Sequence, residues 1–242
     1  MKVCLACTSD KQFIKEVYNT PYLLESFYYI KEWQLPIIKN CQLFLLDSGA
    51  FTFMNGSKGE VDFNAYLDRY IDFINKNNIK YFFELDIDSV VGYENVKKLR
   101  TKLEQGTKKK CIPVWHKSRG LEEWKKMCQE YDYVAIGGIV TKEIQKEDYK
   151  YFKPLLEIAK QNNCKVHGLG FTAVAELTKY KFYSVDSTSW KSGGRYGQLH
   201  VFNEGRIENN KPKGMRAKDY KKIDYHNYLE WLKYQEYADK HL

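Results

Sequence analysis

Short apolar strands and amphipathic helices alternate along almost the whole chain, and this pattern most constrains its fold. Strand-like runs recur at Val3 to Cys7, Leu43 to Leu46, Lys80 to Leu85, Cys111 to Trp115, Tyr133 to Ile136, Lys165 to Gly168 and Phe182 to Val185. Helical three- and four-residue spacing fills DFNAYLDRYIDFINKN (62–77), ENVKKLRTKLEQ (94–105), LEEWKKMCQEY (121–131), YKYFKPLLEIAKQNN (149–163) and VAELTKY (174–180). A last helix is expected at about 225–241, through HNYLEWLKYQEYADK. Such alternation predicts a parallel sheet with crossover helices. A single α/β domain over residues 1–242, folded as a TIM (β/α)₈ barrel, fits best; an open doubly wound sheet is the alternative. The eighth strand is weak and is sought in QLHVFN (198–203). The segment 203–222 is polar and basic and reads as a loop or arm.

The chain carries 39 Lys and Arg against 31 Asp and Glu, a net charge of +8, with 20 Tyr, 13 Phe and 5 Trp. A basic, aromatic-rich surface suits nucleic acid, through phosphate contacts and base stacking; a Lys- and Tyr-rich surface with no such partner has the same composition. No apolar run reaches membrane-spanning length and the N-terminus is too strand-like for a signal peptide, so a cytoplasmic location and no membrane partner are expected. The six cysteines are scattered and read as reduced thiols. Cys4 and Cys7 form a C-x-x-C, but no second pair or downstream His cluster completes a zinc site, so no metal is expected there.

In a parallel barrel the site lies at the C-terminal ends of the strands. There the sequence puts Asp47-Ser48-Gly49 after the second strand, Asp86 and Asp88 on one side of the third, and His116 after the fourth. Gly137-Gly138 follow the fifth, His167-Gly168 and Gly170 the sixth, and Asp186 the seventh. An Asp or Ser at one strand end is explained equally by helix capping, and Gly-Gly by a tight turn. Their convergence on one mouth points to a site. No nucleotide-binding glycine motif, serine-hydrolase elbow or H-E-x-x-H occurs.

LLDSGAFT (45–52) resembles the D-S-G-G-F-Q motif of tRNA-guanine transglycosylases, and FELDID (83–88) their third-strand aspartate segment. AIGGIV (135–140) is similar to the G-G-L-A loop, GLGF (168–171) to the M-G-V-G segment and SVDSTSW (184–190) to the nucleophile segment. The motifs keep family order, and the chain is most similar to the phage and bacterial branch that inserts 7-deazaguanine bases into DNA. The resemblance implies a compact barrel and base exchange through a covalent sugar–enzyme intermediate. Asp186 would be nucleophile and Asp47 general acid and base. Asp86 would bind the purine edge, with Ser48, His116, Gly137, Gly138 and Gly168 around the base. The co-substrate would be a free 7-deazaguanine base and no cofactor would be needed. The family Gln is replaced by His116, and the family's cysteine–histidine zinc cluster has no counterpart, so no zinc subdomain is expected. That loss favours DNA over tRNA, the alternative substrate; a silent nucleic-acid-binding barrel is the non-enzymatic one. SGGRYG (192–197) is either a phosphate-holding loop with Arg195 as its cation or a flexible turn. Arg195 with Lys211, Lys213, Arg216, Lys218, Lys221 and Lys222 would hold the nucleic-acid backbone.

Overall fold

The structure is a computed structural model that describes residues 1–9, 20–49, 62–171, 173–210 and 219–242. Eight parallel strands form a curled sheet: β1 Lys2–Ala6, β2 Tyr22–Ser26, β3 Leu43–Asp47, β4 Tyr81–Phe82, β5 Val114–Trp115, β6 Tyr133–Ile136, β7 Lys165–Gly168 and β8 Ser184–Ser187. Their order is β4-β3-β2-β1-β8-β7-β6-β5. β1 thus lies beside β8, and the order lacks the reversal that defines a doubly wound sheet. The two end strands also approach each other. Phe83 and Ile112 form a parallel bridge, Ile112 N–H donates to Phe82 O at 2.8 Å, and Glu84 N–H donates to Ile112 O at 3.1 Å.

Strand pleating explains why both faces are apolar. Cys4, Ala6, Tyr22, Leu24, Leu43, Leu45, Phe83, Ile112, Val114, Tyr133 and Ala135 make one inner cluster. The intervening Val3, Leu5, Leu23, Phe44, Leu46, Val134 and Ile136 pack outward. They meet helices α1 Leu35–Asn40, α2 Phe63–Lys76, α3 Asp88–Val91, α4 Tyr93–Thr107, α5 Gly120–Glu130, α6 Phe152–Gln161 and α7 Val174–Leu177. Asp62 caps α2 by accepting from the Asn64 and Ala65 amides, each at 3.0 Å, as its place before the periodic run suggests. Helix α8 Ser192–Tyr196, an antiparallel hairpin of β9 Leu199–Asn203 and β10 Arg206–Asn210, and helix α9 Tyr220–His241 follow the sheet, and short 3-10 turns join several elements.

Several expectations change. β2 was not anticipated, because Glu25 interrupts its apolar run; the strand tolerates it because Glu25 Oε1 accepts from Thr8 N–H at 2.7 Å. Asp47 therefore ends the third strand. The 198–203 run is a strand, but it pairs with β10 in a separate sheet. Within the 203–222 arm the described residues include β10 and the first turn of α9, and 211–218 lie outside the described residues. Asp86 and Asp88 lie beyond β4: the backbone turns at Ile87, whose N–H donates to Leu85 O at 3.0 Å, and Asp88 begins α3.

α9 is an unusual outer helix, since it buries Asp224, Asn227, Glu230 and Gln235. Most of these polar groups reach backbone: Gln235 Nε2 donates to Val3 O at 2.6 Å and Tyr22 O at 2.7 Å, and Glu230 accepts from Phe202 N–H at 2.8 Å, while Gln235 Oε1 is buried with no partner among the described residues. Such matching is what permits polar burial.

Glu84 is completely buried just past β4 and accepts from Arg100 Nε at 2.6 Å, Arg119 Nη1 at 3.0 Å and Val114 N–H at 2.8 Å. Glu84→Leu should destabilise the fold by about 3–5 kcal/mol, because it leaves two arginines without their buried counter-ion. Urea unfolding checks this; a midpoint near that of the parent would mean the cluster holds nothing together.

Candidate active site

A cavity of about 730 Å³ opens at the C-terminal ends of the strands and is lined by Asp47, Asp86, His116, Gly138 and Asp186, among others. Inward alternation along β3 runs Leu43, Leu45, Asp47, so the acid takes the next interior position after two core leucines. Asp186 is an inward residue of β8, like Ser184 before it, and lies opposite Cys4 of β1.

Asp47 Oδ2 accepts from Gly49 N–H at 3.0 Å. Gly49 has φ +77°, and a Cβ there would stand 2.7 Å from Ser26 Oγ and 2.8 Å from Tyr28 Cβ, so the turn requires glycine. Burial raises the Asp47 pKa, the Gly49 amide opposes it, and the charges of Asp86 and Asp186 raise it further, to about 7. Asp186 is 7 % exposed, and its Oδ1 accepts from Gly170 N–H at 2.6 Å and faces His167 Nε2 at 3.2 Å.

His116 is held by two carboxylates. Its Nε2 lies 2.7 Å from Asp86 Oδ1 and its Nδ1 2.8 Å from Glu143 Oε2. Burial alone would lower its pKa; the bond and charge of Asp86 and the bond to Glu143 outweigh that and raise it to about 9. His116 is therefore an imidazolium at neutral pH, donating from both nitrogens. Glu143 also accepts from Ser118 N–H at 2.8 Å. Burial would raise its pKa, but the Ser118 amide and His116 together lower it. Behind Asp86, Arg119 forks onto Asp88 at 2.7 and 2.5 Å and stacks 4.2 Å from the centre of the Tyr93 ring.

Three anticipated base-binding residues are not among those lining the cavity. Ser48 is fully buried, with Tyr66 Oη donating to its carbonyl at 2.6 Å. Gly137 makes room for its neighbours: a Cβ would be 2.7 Å from Val114 Cγ1 and 3.0 Å from His116 Cε1. Gly168 likewise gives space to Phe171, Phe182 and Val185. Gly138 does reach the cavity, at φ +84°, and its carbonyl accepts from Ile144 N–H at 3.0 Å.

Sequence reasoning missed Glu143, Tyr29 and Cys7 as cavity residues. Glu143 reads as part of a solvated charge run; only its pairing with His116 distinguishes it. Cys7 adopts φ +61° just past β1, and burial pushes its thiol up to about 11, so it is a poor nucleophile. Cys4 points into the interior, and burial pushes its thiol up as well.

Arg195 lines a second cavity, of about 460 Å³, with Ser189, Ser192, Gln198 and Asn209, and none of its lining residues is acidic. Thr188, two residues past Asp186, borders both cavities. Lys211, Lys213, Arg216 and Lys218 lie outside the described residues. Lys221 and Lys222 are exposed in the first turn of α9. Among the described residues no group of three or more His, Cys, Asp or Glu is arranged to hold a metal ion, and no helix is long and apolar enough to cross a membrane.

No family model and no curated protein matches the chain. Among solved structures it is similar to the crystal structure of citrate synthase SbnG, at 10% identity over 76% of this chain and 84% of that one, with a TM-score of 0.44.

A carboxyl whose folded pKa is raised to about 7 makes stability fall as pH rises from about 4 through 7, because the folded state keeps a proton that the unfolded chain releases. Asp47→Asn should remove this cost. At pH 8 the variant should be about 2–4 kcal/mol more stable than the parent, with little difference at pH 4. Denaturant midpoints at the two pH values check it; equal differences at both would contradict the raised pKa.

Proposed function

We propose that the protein is a base-exchanging transglycosylase that replaces guanine in DNA by a 7-deazaguanine, on a closed (β/α)₈ barrel without a zinc subdomain. The hydrogen bonds between Phe82–Glu84 and Ile112 support closure. The observation that carries the function is one cavity holding two carboxylates in different environments: Asp47 raised to about 7 by burial, and Asp186 gripped at Oδ1 by two donor groups. Unlike environments on paired acids divide the roles of proton donor and nucleophile.

In the first half-reaction Asp186 Oδ2 bonds to the sugar C1′ as the C1′–N bond to guanine breaks. The released electron pair goes to the purine, which takes a proton from Asp47. In the second half the incoming base gives a proton to Asp47, its nitrogen bonds to C1′, and the Asp186–sugar ester breaks. Asp86 accepts from the purine's amino and ring N–H groups, as acidic side chains do with base edges. His116, a cation clamped by Asp86 and Glu143, fixes the Asp86 carboxylate.

The charge pattern favours a polyanion that keeps its phosphates outside. The whole chain is +8, yet Asp47, Asp86, Asp88, Glu143 and Asp186 all line the main cavity. A neutral base can enter where a phosphate is repelled. A phosphate next to the target fits the neighbouring cavity, where Arg195 lies among hydroxyl and amide groups.

Asp186→Asn should abolish base exchange and formation of a covalent DNA–protein adduct, by several orders of magnitude. Denaturing electrophoresis with labelled DNA, beside an exchange assay with guanine-labelled DNA or tRNA, checks this; near-parental exchange by the folded variant would exclude the nucleophile. In single turnover, guanine release should fall above about pH 7, as Asp47 loses its proton, whereas base capture should rise up to that pH.

Arg195→Gln should weaken oligonucleotide binding and lower the slope of log K against log salt by about one. The expected loop or flexible turn at 192–197 is the short helix α8 with Gly197 at its end, and an unchanged slope would leave Arg195 an exposed residue of that helix with no phosphate role.

A further inference from the structure

Three side chains form a hydrogen-bonded line behind Asp186, of which the mechanism above uses only the contact at Oδ1. Tyr133 Oη of β6 bonds to Ser184 Oγ of β8, Ser184 Oγ lies 2.6 Å from His167 Nδ1 of β7, and His167 Nε2 lies 3.2 Å from Asp186 Oδ1. His167 and Ser184 are completely buried, and the centre of the Phe83 ring lies 5.3 Å from that of the imidazole.

With Asp186 acting as a carboxylate acceptor, the line has one direction: His167 Nε2 carries the hydrogen. Nδ1 of the same tautomer then accepts, and Ser184 donates to it. Ser184 Oγ in turn accepts from the Tyr133 phenol, which burial keeps protonated by raising its pKa well above the usual value. Every donor in the line therefore points toward Asp186. Gly170 N–H reaches the same oxygen at 2.6 Å. Gly170 has φ +69°, and a Cβ there would lie 2.4 Å from Val140 Cγ2, so this approach requires glycine.

We infer that His167 is a positioning residue for the nucleophile: with Gly170 N–H it occupies Asp186 Oδ1, leaves Oδ2 to attack C1′, and receives the returning charge when the ester breaks. The inference rests on the transglycosylase reading. When the ester forms, Oδ2 bonds to C1′, the C1′–N bond breaks, and Oδ1 becomes the ester carbonyl. When it breaks, the electron pair of the Oδ2–C1′ bond returns to the carboxylate, and the charge shared by Oδ1 meets two preorganised donors. The line should thus favour the second half-reaction most.

The test compares His167→Phe, which lacks the donor, with His167→Gln, whose amide N–H can replace Nε2–H. With guanine-containing DNA and a 7-deazaguanine, His167→Phe should lose about 10- to 100-fold in kcat while a larger fraction of enzyme is trapped as DNA ester at steady state. His167→Gln should recover most of kcat and return the ester fraction toward the parental value. Ser184→Ala, which frees the ring to adopt the other tautomer, should show a smaller change of the same kind and serves if His167→Phe does not fold. Equal loss in the Phe and Gln variants, or an ester fraction that falls with turnover, would overturn the inference. Nitrogen-15 NMR of the parent gives a readout that needs no activity: His167 should be the neutral tautomer protonated on Nε2. An Nδ1-protonated ring or an imidazolium would overturn this inference alone. Absence of both ester and exchange in the parent protein would instead reject the transglycosylase reading.

Discussion

Glu84 carries the buried charge around which one side of the molecule is arranged. One oxygen takes Arg100 from α4; the other takes Arg119 and the Val114 amide of β5. The carboxylate joins the two end strands of the sheet to an outer helix. Through Arg119 it also fixes Asp88, and Arg119 Nη2 lies 3.9 Å from Asp86. Asp86 holds His116, and His116 holds Glu143. Buried charge is costly unless every member is paired, so these residues stand or fall together. The cavity wall from Asp86 to Glu143 is built on that constraint.

The opposite side is arranged by desolvation. Asp47 has the Gly49 amide to offset its burial, and its pKa is left raised, at about 7. Asp186, across the cavity, has amide and imidazole groups turned toward it. Each carboxyl accepts from a glycine N–H, and Asp186 faces the His167 imidazole as well. The glycines after β3 and β7 matter for this reason: each lets a backbone N–H reach a carboxylate that a side chain would hold away.

Much of this was legible in the sequence. The strand–helix alternation gave seven of the eight parallel strands, and the acids and histidine at strand ends share one cavity. What escaped notice depended on pairing across long distances. YLLES does not read as a strand until Thr8 accounts for Glu25. Gly137 and Gly168 read as ligand-facing because a glycine looks the same whether it makes room for a substrate or for Val114 and Phe182. The clamp on His116 joins residues 30 positions before it and 27 after it, a relation no periodicity records. The polar face of α9 hid its burial, since Gln235 and Asn227 bond to backbone carbonyls on other elements.

The place of β8 in the sheet has a consequence for how the protein comes to exist. β8 pairs with β1, so Cys4 and Asp186 meet across most of the chain. Such a contact closes a loop over most of the chain, and its loop-closure entropy exceeds that of any neighbouring strand–helix pair. During synthesis the β1–β3 edge must wait, with its inner face uncovered, until the 184–187 strand has been made. The residue that completes the acid pair arrives on that same strand. A partly folded chain can therefore display Asp47 without Asp186, and the cavity gains its second acid only when the long-range pairing is made.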